Sequence, residues 1–251
     1  MEVIVCIAII SLWWILSLTI FLPFVILLIL SKTLRDKWFT FIFTKCENPM
    51  NSPEFSRMRK KLFKLLEESL PNQRKVVPLK VLEIGIGEGA NLQFYPENST
   101  LTALDMNPYF IQHFNKNRKN YPQVNLDGVV VNYAEDMKEV PSDAFDVVVC
   151  THVLCSVKSI HSVMKEVKRV LKPTGKFLFI EHIVFPKSKV ERLVQQFATP
   201  LWAIYFNGCY LNRDIPQTVK KAGFRDVHCD VSYLPFLPLF IRLQCFGIAT
   251  K

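Results

Sequence analysis

Paired cysteines are missing from this sequence. Its seven cysteines (Cys6, Cys46, Cys150, Cys155, Cys209, Cys229, Cys245) are odd in number, and no Cys-x-x-Cys occurs. That excludes a disulfide framework and a zinc knuckle, and free thiols in a reducing compartment are the expectation. No cluster of His, Cys and carboxylates stands at metal-ligand spacing, so no metal site is expected. Internal repeats, low-complexity tracts and nucleic-acid-binding motifs are also absent. Charge is missing from one stretch: Val3–Ser31 covers 29 positions without a charged side chain.

A run this long and apolar on every side is a membrane segment rather than a core helix. A cleaved signal peptide would need a positive start, an apolar core of about 7–15 residues and a small-residue cleavage site. Here Glu2 alone precedes the run and no A-x-A pattern follows it. An uncleaved anchor over residues 1–31 is therefore expected. At about 1.5 Å per residue it would exceed the bilayer core, so tilt, a kink at Pro23 or a shallow hairpin turning near Pro23 must absorb the excess. Lys32, Arg35 and Lys37 follow the run, which places the body of the protein in the cytosol. Between residues 32 and 80 twelve Lys/Arg face five Asp/Glu, so this basic juxtamembrane segment holds most of the net charge of +9. Such a patch suits an anionic leaflet, or is simply a solvated helix face.

Within residues 32–78, Trp38–Phe43 reads as an interfacial segment. Ser52-Pro53 opens a helix whose Phe55, Met58, Leu62, Leu65, Leu66 and Leu70 recur at helical spacing. Pro71–Pro78 is a polar connector. From residue 79 to 251 short apolar runs alternate with helical stretches. Strands are expected at 81–85, 102–105, 129–134, from 145, at 176–182, 224–233 and 241–249. Helices are expected at 109–117, 159–171 and 215–222, with a turn at 172–175. This pattern predicts an α/β domain with a parallel, Rossmann-like sheet and a last strand pair that is antiparallel.

The glycines of Glu83-Ile84-Gly85-Ile86-Gly87-Glu88-Gly89 end the first strand. They let the backbone turn and approach a ligand, with a helix N-terminus expected to follow. Gly85-x-Gly87-x-x-Ala90, with Asp105 further on, also satisfies a dinucleotide site, so an NAD-dependent oxidoreductase competes. Four details favour S-adenosylmethionine. Glu83 helps shape a site for an ammonium group, Asp105 can accept from two ribose hydroxyls, Ala134-Glu135-Asp136 follows the third strand, and the chain ends without a separate substrate domain.

The ordered set of the glycine loop, LDMNP, AEDM, FDVVVCTHVLCSV, RVLKPTG and FIEH resembles class I methyltransferases. With the anchor and Gly208-Cys209-x-Leu211-x-Arg213 it is similar to the membrane-bound thiol S-methyltransferases of the methyltransferase-like seven group. Departures are Met106 for Pro, Thr174 for Gly, Asn212 for Thr, and His152 for an apolar residue. The resemblance implies a cofactor set of Glu83, Gly85, Gly87, Gly89, Asp105, Met106, Asn107, Ala134, Glu135, Asp136 and Thr151. His152 is the one candidate base, while Cys155 and Cys209 read as small buried hydrophobes. The aromatic stretch Phe185–Leu211, with Trp202, Tyr205, Phe206 and Tyr210, should line an acceptor pocket for a small apolar thiol, and Leu234–Ile241 could dip into the membrane. The resemblance further implies S-methylation at the cytosolic face of the endoplasmic reticulum. Alternatives are a lipid, quinone or sterol O- or C-methyltransferase, and a non-catalytic lipid-droplet scaffold. Oligomeric state is not legible.

Overall fold

The computed structural model describes residues 1–45, 49–70, 78–187 and 189–251. Cys46 and nearly all of the connector expected at Pro71–Pro78 lie outside them. Seven strands form one sheet: β1 (Leu79–Ile84), β2 (Ser99–Leu104), β3 (Val124–Val130), β4 (Phe145–Thr151), β5 (Leu171–His182), β6 (Asp226–Tyr233) and β7 (Leu243–Thr250). Their spatial order is β3-β2-β1-β4-β5-β7-β6. The first five run parallel, and β7 is antiparallel to both β5 and β6. The expected sheet, with its antiparallel last pair, is therefore present. The chain winds outward one way from β1 and the other way from β4, so a crevice opens beyond the C-terminal ends of these two strands.

Alternation along the central strands supplies two apolar faces. Leu82 and Ile84 of β1, with Val148 and Cys150 of β4, pack under α6 (Ile160–Val170) and α8 (Ile215–Lys221). Leu79 and Val81, with Val147 and Val149, meet α4 (Pro53–Ser69) on the other side. In α4, Ser52 caps the first turn by accepting from Phe55 N, and Phe55, Met58, Leu62 and Leu66 are buried. Each such side chain contributes about 1.5–3 kcal/mol on burial, which makes α4 part of the core.

Boundaries moved where tertiary pairing outweighed local pattern. β3 starts earlier than expected and ends at Val130, because it pairs with β2 from Ser99↔Val124 onward. The turn expected at Lys172–Gly175 appears as a jump in register: Phe145 pairs with Leu171, then Val147 with Lys176. The helix expected after the glycine loop is only a 3-10 turn at Leu92–Phe94. Tyr95 precedes Pro96 and is extended, which stops helical propagation.

The anchor run is broken. α1 (Glu2–Leu18) and α2 (Leu22–Leu30) meet at 82°. The break falls at Thr19–Phe21, so Pro23 sits in the first turn of α2, where a missing N–H costs nothing. Among the described residues no single helix is long and apolar enough to cross a membrane, whereas this bent pair qualifies by length and composition. The expected interfacial segment is part of α3 (Lys32–Lys45), which lies over the crevice. α7 (Glu191–Tyr205) completes the cover, held by Gln195, which is fully buried. Gln195 accepts from Phe185 N at 2.8 Å and donates to the carbonyls of Ile183 and Phe240, both at 3.0 Å.

Candidate active site

The crevice beyond β1 and β4 is a cavity of about 1720 Å³. Its floor is the loop after β1. Gly87 has φ +51°, and a Cβ built on it would meet nothing within 4 Å, so its backbone stands open to a ligand. Gly85 has φ +71°, and its Cβ would lie 2.2 Å from Val153 Cγ2; the loop after β4 approaches too closely for any side chain.

Asp105 ends β2 and is nine-tenths buried. Its Oδ2 accepts from Gly87 N and its Oδ1 from Asn107 N, each at 2.9 Å. Burial pushes its carboxyl up to about 6, against the downward pull of those two amides. Glu83 is held rather than offered: Oε1 accepts from Asn91 Nδ2 at 2.7 Å and Oε2 from the Tyr95 hydroxyl at 2.5 Å. Burial lifts it to about 7, while Arg59 of α4, bonded to Asn91 at 3.1 Å, counteracts the rise. Asn91 also donates to Thr151 Oγ1 at 3.2 Å, so one amide ties the ends of β1 and β4 together.

The expected cofactor set divides. Glu83, Gly85, Gly87, Asp105, Met106, Asn107, Ala134, Glu135 and Thr151 all line the cavity. Gly89 lies behind the wall, against Leu92 and Phe114. Asp136 turns outward to pair with Lys138 at 3.3 Å. The Asn107 amide clamps the roof, donating to Asp36 O and Thr40 Oγ1 of α3, both at 3.0 Å. Glu135 Oε1 accepts from Lys158 N and Ser159 N, which fixes the approach to α6.

His152 borders the cavity with φ +56° and packs edge-on against Phe55 at 5.3 Å. Both ring nitrogens are buried and unpartnered. Burial, then His182 and Arg59, hold its pKa well below the usual histidine value, so the imidazole is neutral.

The aromatic lining expected from Phe185–Leu211 is only partly in place. Of its four named aromatics, Tyr210 lines the cavity, and α7 faces it with Thr199, Pro200, Ala203 and Ile204. Trp202, Tyr205 and Phe206 lie on the other side. Trp13 of α1 meets Tyr205 at 5.3 Å and Trp202 at 6.5 Å, and Trp202 stacks on Phe206 at 3.8 Å. A helix has two faces, and the larger rings went to the helix–helix contact. In Leu234–Ile241, Leu234, Leu237, Leu239 and Phe240 are buried inside the protein and only Phe236 is an exposed large side chain, so this loop is core more than membrane contact.

Sequence reasoning missed the roof. Phe39 and Phe43 of α3 line the cavity and pack on Phe110 of α5 (Phe110–Asn117), and Arg35 reaches Asn207 at 3.2 Å. It also missed that Cys155, His182 and Cys209, far apart in the chain, converge behind the wall. No spacing rule would have found them.

Residues 82–179 match the family described as Methyltransferase domain. Over 215 residues the chain is 33% identical to thiol S-methyltransferase TMT1A of Homo sapiens, covering 86% of each. Over 171 residues it is 38% identical to thiol S-methyltransferase TMT1B of Rattus norvegicus, covering 68% of this chain and 70% of that one. The chain belongs to the thiol S-methyltransferase family. This decides between the two readings of the glycine loop in favour of a methyltransferase. Solved structures share the fold. A putative methyltransferase from Bacillus halodurans superposes with a TM-score of 0.57 at 16% identity, over 76% of this chain and 98% of that one. An N-methyltransferase of Haemonchus contortus, in complex with phosphomonomethylethanolamine and S-adenosylhomocysteine, gives 0.60 at 15%, over 88% and 58%.

Proposed function

We propose that this methyltransferase moves the methyl group of S-adenosylmethionine onto the sulfur of small apolar thiols, working from a membrane surface. One observation carries the reading: a single cavity joins the open Gly87 backbone and Asp105 to an apolar wall of Pro200, Ala203 and Ile204. Its volume of about 1720 Å³ exceeds the roughly 300–1,000 Å³ of ordinary ligand pockets, so cofactor and acceptor fit together. The names of the relatives specify sulfur as the acceptor atom.

The residues present fit the cofactor. Gly87 leaves the space a Cβ would fill, and each Asp105 oxygen retains a lone pair for a ribose hydroxyl after accepting its backbone amide. When bound, S-adenosylmethionine supplies a methyl group on a positively charged sulfur. The chain contributes position and dryness, which suffice for transfer to a thiolate. α3 and α7 roof the cavity and shield it from water on that side. His152, which borders the cavity unprotonated, is the candidate to receive the acceptor's proton, with its basicity weakened by burial.

The test is transfer of labelled methyl from S-adenosylmethionine to a panel of small thiols, lipids, quinones and sterols. Turnover on apolar thiols, lost in Asp105→Ala, is expected. Methylation of lipids, quinones or sterols with none on thiols would replace the reading, and cofactor binding without any turnover would point to a scaffold.

We place the membrane along α1 and α2. Ile4, Ile9, Leu12, Ile15, Leu18, Ile20, Leu27 and Leu30 are exposed there, next to Leu193 and Phe197 of α7. The opposite side of α1 is fastened to the domain: Ser17 bonds to the Tyr205 hydroxyl at 3.1 Å, and Glu2 pairs with Arg242 at 2.5 Å. Because its charged start stays with the domain, α1 suits lying within one leaflet rather than crossing the bilayer. The basic segment and the unpaired cysteines favour a cytosolic face, and the family resemblance adds the endoplasmic reticulum. A one-leaflet hairpin also suits a lipid-droplet monolayer.

A further inference from the structure

Behind the cavity wall, three soft or borderline donors converge from three separate parts of the chain. Cys155 leaves the end of β4, His182 ends β5, and Cys209 lies in the loop after α7. Their ligand atoms all lie within 4.8 Å of one another, with His182 Nε2 only 3.0 Å from Cys209 Sγ. A tetrahedral zinc with Zn–S about 2.3 Å and Zn–N about 2.1 Å sets its ligand atoms roughly 3.5–3.8 Å apart, a spacing these side chains reach by small rotations. Cys155 and His182 are buried and Cys209 half-buried.

We propose that Cys155, His182 and Cys209, with a water as the fourth donor, bind a zinc ion that clips the loop after α7 to the ends of β4 and β5. The site is independent of the acceptor reading, since none of the three side chains lines the cavity. Charge selects the metal: two thiolates and a divalent ion with neutral imidazole sum to zero, whereas copper(I) would leave a buried negative charge.

Two supporting features are already built. Glu181 Oε1 accepts from Val153 N at 2.7 Å and Leu154 N at 2.6 Å, which fixes the turn that delivers Cys155. A zinc-bound Nε2 requires the proton on Nδ1 and an acceptor for it. His182 Nδ1 is buried without a partner, and so is Oε1 of Gln244, its register partner on β7. Register partners face the same side of the sheet, so a rotation of the Gln244 side chain would bring its Oε1 to the Nδ1 proton once zinc holds Nε2. The clip would stiffen the cavity wall, because Ser156, Gly208 and Tyr210, chain neighbours of the two cysteines, line it.

The experiment uses the full chain, purified in detergent without chelator, and measures zinc by elemental mass spectrometry and cobalt(II) uptake by absorption. Expected are about one zinc per chain and, with cobalt, a thiolate-to-metal charge-transfer band with tetrahedral d–d bands. Cys155→Ser, His182→Asn and Cys209→Ser should each lose the ion, Gln244→Ala should weaken its hold about 10–100-fold, and Cys6→Ser should keep it. Should the ligand variants fail to fold, the cobalt spectrum of the unaltered chain decides alone. Absence of metal after zinc addition, retention in all three variants, or a Cys155–Cys209 disulfide in place of the ion would overturn the proposal.

Discussion

On the proposed mechanism the protonation of Asp105 and His152 bears on turnover, and burial moves the two in opposite directions. Asp105 is raised to about 6 by burial, so charging it weakens the unliganded fold as pH rises from 3.8 through 6. Ribose hydroxyls donate more strongly to the ionised carboxylate, which keeps acceptor sites free on both oxygens. Affinity for S-adenosylmethionine should therefore fall by up to about tenfold per pH unit below pH 6. Calorimetry across pH 5–8 checks this, with Asp105→Asn expected to bind weakly and without that dependence. His152 is lowered, by burial first, and so stays a base through neutral pH. In His152→Leu the rate should track the acceptor's own thiolate fraction, dropping about tenfold per unit below the thiol pKa of about 8.5. Residual turnover at pH 9 is expected, because the resemblance has an apolar residue at this position. An unchanged pH–rate profile in the variant would remove His152 from the proton transfer.

At the scale of elements, α7 shows how one helix divides its labour. Thr199, Pro200, Ala203 and Ile204 face the cavity, while Trp202 and Tyr205 receive Trp13 of α1. Gln195 holds this arrangement with three bonds to backbone groups. Replacing it with Leu leaves an N–H and two carbonyls buried without partners, each costing about 1–3 kcal/mol. Denaturant unfolding of Gln195→Leu should show a loss of about 3 kcal/mol or more. A looser α7 also predicts a larger rise in KM for the thiol than for the cofactor. α3 has the matching role above the glycine loop, through Asn107 and the Phe39–Phe110 contact.

The whole molecule has one apolar side that water does not satisfy. The exposed side chains of α1, α2 and the start of α7 form it, and α2 and α7 also line the cavity. On the proposed membrane contact, acceptors dissolved in the bilayer would enter next to this surface. Serine at Ile4, Ile9, Leu12 and Ile15 should weaken binding to anionic vesicles, since each full burial is worth about 1.5–3 kcal/mol. Flotation assays read this, and turnover on water-soluble thiols should be retained. Equal flotation of the variant and the unaltered chain would remove α1 from the membrane contact.

Local rules made much of this legible from the residues alone. Alternating apolar runs defined the sheet, Ser52-Pro53 marked the start of α4, and a strand running into Gly85-x-Gly87 with Asp105 at the next strand end located the floor of the cavity. These features depend on neighbours within a few residues, where the chain's own geometry dictates the outcome. Three matters depended on segments meeting across the fold. The break between α1 and α2 was placed by packing against α7. The roof came from α3, whose aromatic residues gave no sign of facing a cavity. The convergence of Cys155, His182 and Cys209 required the register of β4 and β5 and the return of the loop after α7. Side-chain periodicity is a property of one element, whereas a site is a property of several, and only their packing decided what met what.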